Sequence, residues 1–201
     1  MMAPAAHAQS AVDIFLGFGA GFDSANSSGI DNTSFLSCVP GSASTCQALP
    51  SMNGFFMNIG GDIMFTDKYG VSPNIAFMPS QPNYGPLQYR QMFIDVNGQY
   101  EPVRDKKYVV QLQGGIGVAR TSFSYNASQC VGTAVCSNQT QPVGAANHFD
   151  LHFGAGIQIF ATDHIFIKPQ FDYHFVPGLT DQFGSTSVAM FSVAVGYGTR
   201  R

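Results

Sequence analysis

Apolar and polar side chains alternate without a break from Ile165 to Phe175. Ile165, Ile167, Pro169, Phe171, Tyr173 and Phe175 fall on one face; Phe166, Lys168, Gln170, Asp172 and His174 fall on the other. A period of two marks a strand whose faces meet different surroundings. Seven more segments read the same way, at about 12–23, 54–65, 69–79, 89–100, 108–121, 148–161 and 187–198. No useful length repeats apolar residues at helical spacing, and no apolar run approaches the roughly 18 residues of a spanning helix. Short connections, "TDK", "EPVRDKK" and "TDH", follow the second, fourth and sixth segments, while long polar loops follow the first and fifth. Short turns at one end and longer loops at the other predict an all-β fold: an eight-stranded antiparallel up-and-down barrel.

The faces stay coherent through all eight segments. One carries Ile14, Leu16, Phe18, Ile59, Ile75, Ile94, Val96, Leu112, Ile116, Phe149, Leu151, Phe153, Phe191 and Val195. The other carries Asp13, Asn58, Asp62, Asn74, Asp95, Asn97, Gln111, Asp150, His152, Gln158, Lys168, Asp172 and His174, diluted by glycines. An outward Lys or Arg at a bilayer midplane costs about 2 to 4 kcal/mol, and the apolar face has no charge in a mid-strand position. Its charges, Arg90 and Arg120, lie near the long-loop end, as a lipid interface allows. Tyr69, Tyr100, Tyr108 and Tyr197 stand on the same face at the short-turn end, where an aromatic girdle would meet the opposite interface. The apolar face is therefore expected to meet lipid, making this a transmembrane barrel. A soluble lipocalin-like barrel enclosing an apolar ligand is the competing reading; its hydrated exterior would consist mainly of Gly, Asn, Gln and Asp with some Phe.

The segments "TDHIFIKPQFDYHF" and "MFSVAVGYG", with the even strand number and alternating loops, resemble the small OmpA/OmpX-like outer-membrane barrels of Gram-negative-type bacteria. The resemblance covers residues 12–198. It implies a multi-pass barrel in the outer membrane, surrounded by lipid and lipopolysaccharide. It also implies insertion by the barrel-assembly machinery, which reads a terminal strand ending in an aromatic residue, the place Tyr197 takes here.

Composition agrees. Charged residues are 10% of the chain, against about 25% in soluble domains. A net charge of −3 with no basic cluster argues against a nucleic-acid partner. Ala6-His7-Ala8 has the small-x-small form of a signal cleavage site, so residues 1–8 read as a signal-peptide remnant and 9–201 as a single barrel domain. Cys38 and Cys46, and Cys130 and Cys136, form two close pairs in polar loops. Two local disulfides are preferred among three connectivities, in an oxidising compartment.

If Asp163 centres its turn, cross-strand partners on the sixth and seventh segments have numbers summing to 326. His152 then faces His174, Gln158 faces Lys168, and Asp172 lies opposite Gly154. Asp150, His152, Gln158, Lys168, Asp172 and His174 thus form an expected internal polar cluster. Its imidazoles and carboxylates could hold Zn²⁺, but buried polar groups must find partners in any closed barrel. A hydrogen-bonded plug is the preferred reading, with no metal, cofactor or catalytic residue assigned: the inward histidines have Asp neighbours, but Ser72 and Ser192 are assigned to other parts of the barrel wall. The function expected is a non-enzymatic outer-membrane barrel acting at the cell surface through loops 24–53 and 122–147, where an extracellular ligand would bind. A narrow pore for water, ions or small solutes is the alternative.

Overall fold

The computed structural model describes residues 11–23, 50–84, 87–131, 135–179, 183 and 185–199, with backbone alone for 84, 126–131 and 135–139. Its strands are β1 (Ala11–Asp23), β2 (Gly54–Met64), β3 (Tyr69–Phe77), the two-residue β4 (Asn83–Tyr84), β5 (Leu87–Arg104), β6 (Tyr108–Val131), β7 (Val135–Phe160), β8 (Ile165–Phe175) and β9 (Ser187–Gly198). Sequential antiparallel pairing, a β1–β9 contact and a β3–β5 contact close eight of them into a ring, with β4 folded back on β5 at its rim. No described helix is long and apolar enough to cross a membrane.

The ring's geometry follows from its register. A row of paired residues runs Val12, Ile63, Val71, Gly98, Gly114, Phe153, Tyr173, Ala189 and back to β1 at Phe22. One circuit climbs 22 − 12 = 10 residues, the shear of the barrel. Eight strands about 4.8 Å apart with a rise of about 3.3 Å per residue must then tilt by about 40°. At that tilt the 11 residues of β8 span about 25 Å, the height of an apolar membrane band.

The faces divide as expected. Ile14 is 62% exposed and Phe153 58%, whereas Asp62, His152 and Lys168 are at most 1% exposed. All four girdle tyrosines face outward, and Tyr69 and Tyr100 are paired across β3 and β5 with rings stacked at 5.2 Å.

Two connections differ from expectation. Residues 122–131 and 135–147 are strand rather than loop: β6 and β7 continue pairing from Ser122–Ala145 to Val131–Val135 after the period-two pattern has faded, with a register shift at Phe123/Ser124. Ladder hydrogen bonds hold paired strands together whatever their side chains meet, so the alternation that marks the wall gives no sign of this extension. On the opposite side, β5 runs past Tyr100 to Arg104 through an irregularity between Tyr100 and Val103. Glu101 continues the inward alternation of Asp95, Asn97 and Gln99 one step past the expected strand end and is 1% exposed, where a turn residue was expected.

Apolar side chains close the long-loop end. Met52, Phe56, Met78, Tyr89, Phe93, Val176, Leu179, Phe183, Val188 and Met190 form one buried cluster. Leu179 ends a 3₁₀ turn (Pro177–Leu179), and the Phe183 ring meets Tyr89 edge-on at 5.6 Å. The Tyr89 hydroxyl donates to the Ser51 carbonyl, and the Met52 amide donates to Asp23 Oδ2 at 2.6 Å.

Candidate functional site

Between that cap and a smaller aromatic cluster of Phe15, Phe166 and Phe160 near the short turns, the lumen is filled by polar side chains. Inward glycines decide which of them meet. Gly117 stands between Asp95 and Asp150, Gly115 between Asn97 and His152, and Gly154 between Gln113 and Asp172 in the strand register. Because the middle residue has no side chain, groups from strands two apart reach each other across it. A methyl group at Gly117 would collide with Asp95.

The lower layer is centred on Asp62. Its carboxylate accepts from Ser72 Oγ at 2.8 Å, Gln111 Nε2 at 3.0 Å, Gln158 Nε2 at 3.1 Å and Lys168 Nζ at 3.4 Å. Gln158 also donates to Asp13 and Gln111 to Glu101, both at 3.1 Å. Lys168 lies 4.1 Å from the centroid of the Phe15 ring. A buried ammonium thus has a carboxylate and an aromatic face, which is how such a charge is tolerated.

The middle layer is centred on Asp172, which accepts from Gln170 at 2.7 Å and Gln113 at 3.1 Å and lies 3.0 Å from His152 Nε2. His152 Nδ1 lies 2.7 Å from Asn97 Oδ1, and the Asn97 amide nitrogen donates to the Ser72 carbonyl at 3.2 Å, fixing which way the amide points. Both nitrogens of His152 therefore face acceptors. The ring donates from both and carries the charge that Asp172 balances.

The upper layer holds His174, stacked between Phe93 at 4.2 Å and His152 at 4.5 Å. Its Nδ1 lies 2.6 Å from Asp150 Oδ2 and 3.8 Å from Asp95 Oδ2.

The expected pairings of His152 with His174 and of Gly154 with Asp172 are present. Gln158 and Lys168 converge on Asp62. The expected cluster divides, however: His152 goes with Asp172, while His174 goes with Asp150 and with Asp95, which lay outside it. Asp62 and Glu101 were likewise missed as network members. Ser72 and Ser192, expected apart from the inward histidines and acids, are buried in the same lumen: Ser72 donates to Asp62, and Ser192 accepts from Asn58 at 3.3 Å. Cys38 and Cys46 lie outside the described residues, as do residues 1–8. The backbone register sets Cys130 opposite Cys136. Arg90 and Arg120 are exposed on the outer wall, diagonal to each other on β5 and β6. At the short-turn mouth a recess of about 750 Å³ is lined by Arg104, Asp105, Lys106, Val109, Phe160, Asp163 and His164.

A membrane-facing apolar wall around a polar lumen defines an outer-membrane β-barrel. The chain belongs to the outer membrane protein beta-barrel domain family, whose model matches residues 1–198. Its place is the outer membrane of a Gram-negative-type bacterium, and the soluble-carrier reading is not favoured. Similar solved structures include Ail, the attachment invasion locus protein of Yersinia pestis, at 14% identity and TM-score 0.52, covering 94% of this chain and 98% of that one. OprG from Pseudomonas aeruginosa matches at 15% and 0.52, covering 97% and 98%. Neisserial surface protein A matches at 9% and 0.54, covering 94% and 96%. At such identities the likeness is one of fold. No curated protein sequence matches the chain.

Proposed function

We propose that this protein is a plugged, non-enzymatic barrel whose wall is structural and whose long loops recognise partners at the cell surface. The filled lumen carries this reading. A shear of 10 on eight strands leaves room for side chains only, and three layers of paired polar groups beneath an apolar cap occupy it. The β6–β7 hairpin continues the recognition surface outward, with Thr140 to Ala145 exposed. Its facing cysteines Cys130 and Cys136 are at the separation that antiparallel pairing gives and a disulfide needs. Loop residues on a rigid scaffold are the usual seat of recognition.

Arg90 and Arg120 serve as a diagonal pair for lipopolysaccharide phosphates at the outer interface. Ail has been crystallised with the heparin analogue sucrose octasulfate; fold likeness alone does not carry that ligand over. The test is conductance in planar bilayers, together with surface proteolysis of intact cells. The proposal expects electrical silence and cuts confined to the loops. Stable, reproducible openings would instead establish the pore.

A further inference from the structure

Three carboxylates, Asp95, Asp150 and Asp172, and two imidazoles, His152 and His174, crowd the upper lumen, each at most 2% exposed. Lys168 lies in the lower layer with Asp62. Asp172 is paired with His152, whereas Asp95 and Asp150 face each other across Gly117 with His174 Nδ1 beside them. His174 is stacked at 4.5 Å on a ring that already carries a proton on each nitrogen. An imidazole binds a metal in its neutral form.

Orphaned atoms provide the independent sign. No donor hydrogen-bonds either oxygen of Asp95, whose carboxyl meets only that of Asp150 and, at 3.8 Å, His174 Nδ1; Asp150 Oδ1 has no donor either, and His174 Nε2 has no partner. Asp95 is the one buried carboxylate among the described residues with both oxygens in that state. Buried groups of this kind mark the place of a water or an ion, because a buried carboxylate without a counter-charge or donor is costly.

We infer that Asp95, Asp150 and His174 form a divalent transition-metal site inside the barrel, a role beyond the structural one proposed above. One donor atom from each lies within 4.8 Å of the other two. Small side-chain rotations bring them to the roughly 2.0 to 2.2 Å that an ion takes from imidazole and carboxylate. Two carboxylates and one nitrogen suit Zn²⁺ or a neighbouring first-row ion; Ca²⁺ asks for about six to eight oxygens. The charges also close: two carboxylates balance the ion, and His152 balances Asp172. Asp172 and Asn97 hold His152, and His152 with Phe93 holds the ligand ring in place. The rival arrangement is a proton shared between Asp95 and Asp150.

The test uses untagged protein refolded into detergent with ZnCl₂ or with EDTA, stripped of free metal and assayed for zinc by mass spectrometry. Heat-modifiable migration certifies the barrel. Wild type is expected to retain about one zinc per chain and to melt higher than the EDTA sample. Asp95→Asn and His174→Gln should each lose both effects, while His164→Gln, in the open recess, keeps them. The inference is overturned if wild type holds no more zinc than the EDTA sample. It is equally overturned if a folded Asp95→Asn variant holds as much as wild type. An Asp95→Asn barrel as stable as wild type, with zinc changing neither, would establish the shared proton.

Discussion

His152 and His174 face each other across β7 and β8 with their rings stacked at 4.5 Å, yet only His152 has an acceptor at each nitrogen. Two like residues on adjacent strands thus take different hydrogen-bond partners. The difference arises one strand further away, where Asn97 reaches His152 across Gly115 while Asp95 arrives beside His174 across Gly117.

Glycines in the wall are therefore predicted to matter by position. Gly196 lies against the Phe166 ring, and a methyl group there collides with it; at Gly114 an added methyl meets only ordinary contacts, the nearest at 3.6 Å. Gly196→Ala should destabilise the barrel by about 1 to 3 kcal/mol, and Gly114→Ala by well under 1 kcal/mol. Urea unfolding midpoints followed by heat-modifiable migration check this.

Lys168→Met should be among the most damaging single changes in the lower layer. It strands the Asp62 carboxylate beside neutral donors only, and breaking a buried pair from one side costs about 3 to 5 kcal/mol. Adding Asp62→Asn to it should recover part of that loss. The same urea titrations, run on both single variants and the double, give the coupling.

Outward charge should be penalised by depth. Phe153→Arg, at mid-strand on the lipid face, is expected to cost about 2 to 4 kcal/mol in lipid vesicles, and Tyr197→Arg in the girdle about 0 to 1 kcal/mol. Equal penalties would mean that the assigned band is misplaced.

The disulfide proposed between Cys130 and Cys136 should leave the stability of the wall unchanged. So short a loop contributes about 2 to 3 kcal/mol at most, and locally. Thiol labelling of the folded protein should find no reactive cysteine before reduction. Cys130→Ser with Cys136→Ser should refold with an unchanged midpoint.

Much of the wall was legible in the sequence because a closed barrel in lipid imposes one unbroken rule, apolar out and polar in, on every strand. The "TDH" turn fixed the β7–β8 register, and with it the facing of His152 and His174. The partners of those histidines were not legible. Asp95 reaches Asp150 only through the registers of β5 on β6 and β6 on β7, and the second of these depends on how the long hairpin pairs. Glu101 was hidden because β5 keeps its alternation one step past Tyr100, into a stretch, "EPVR", whose charge and proline read as a turn. The cap residues Leu179 and Phe183 come from a connection with no periodicity to read, and their burial is set by the mouth they fill.

The lipid-facing assignment of the apolar wall can be tested with one reporter, because the chain contains no tryptophan. Phe171, 48% exposed on β8, replaced by Trp and reconstituted into vesicles, should have its fluorescence strongly quenched by lipids brominated on their acyl chains and left nearly untouched by aqueous iodide. Strong iodide quenching with no response to the brominated lipids would place this face in water and contradict the account.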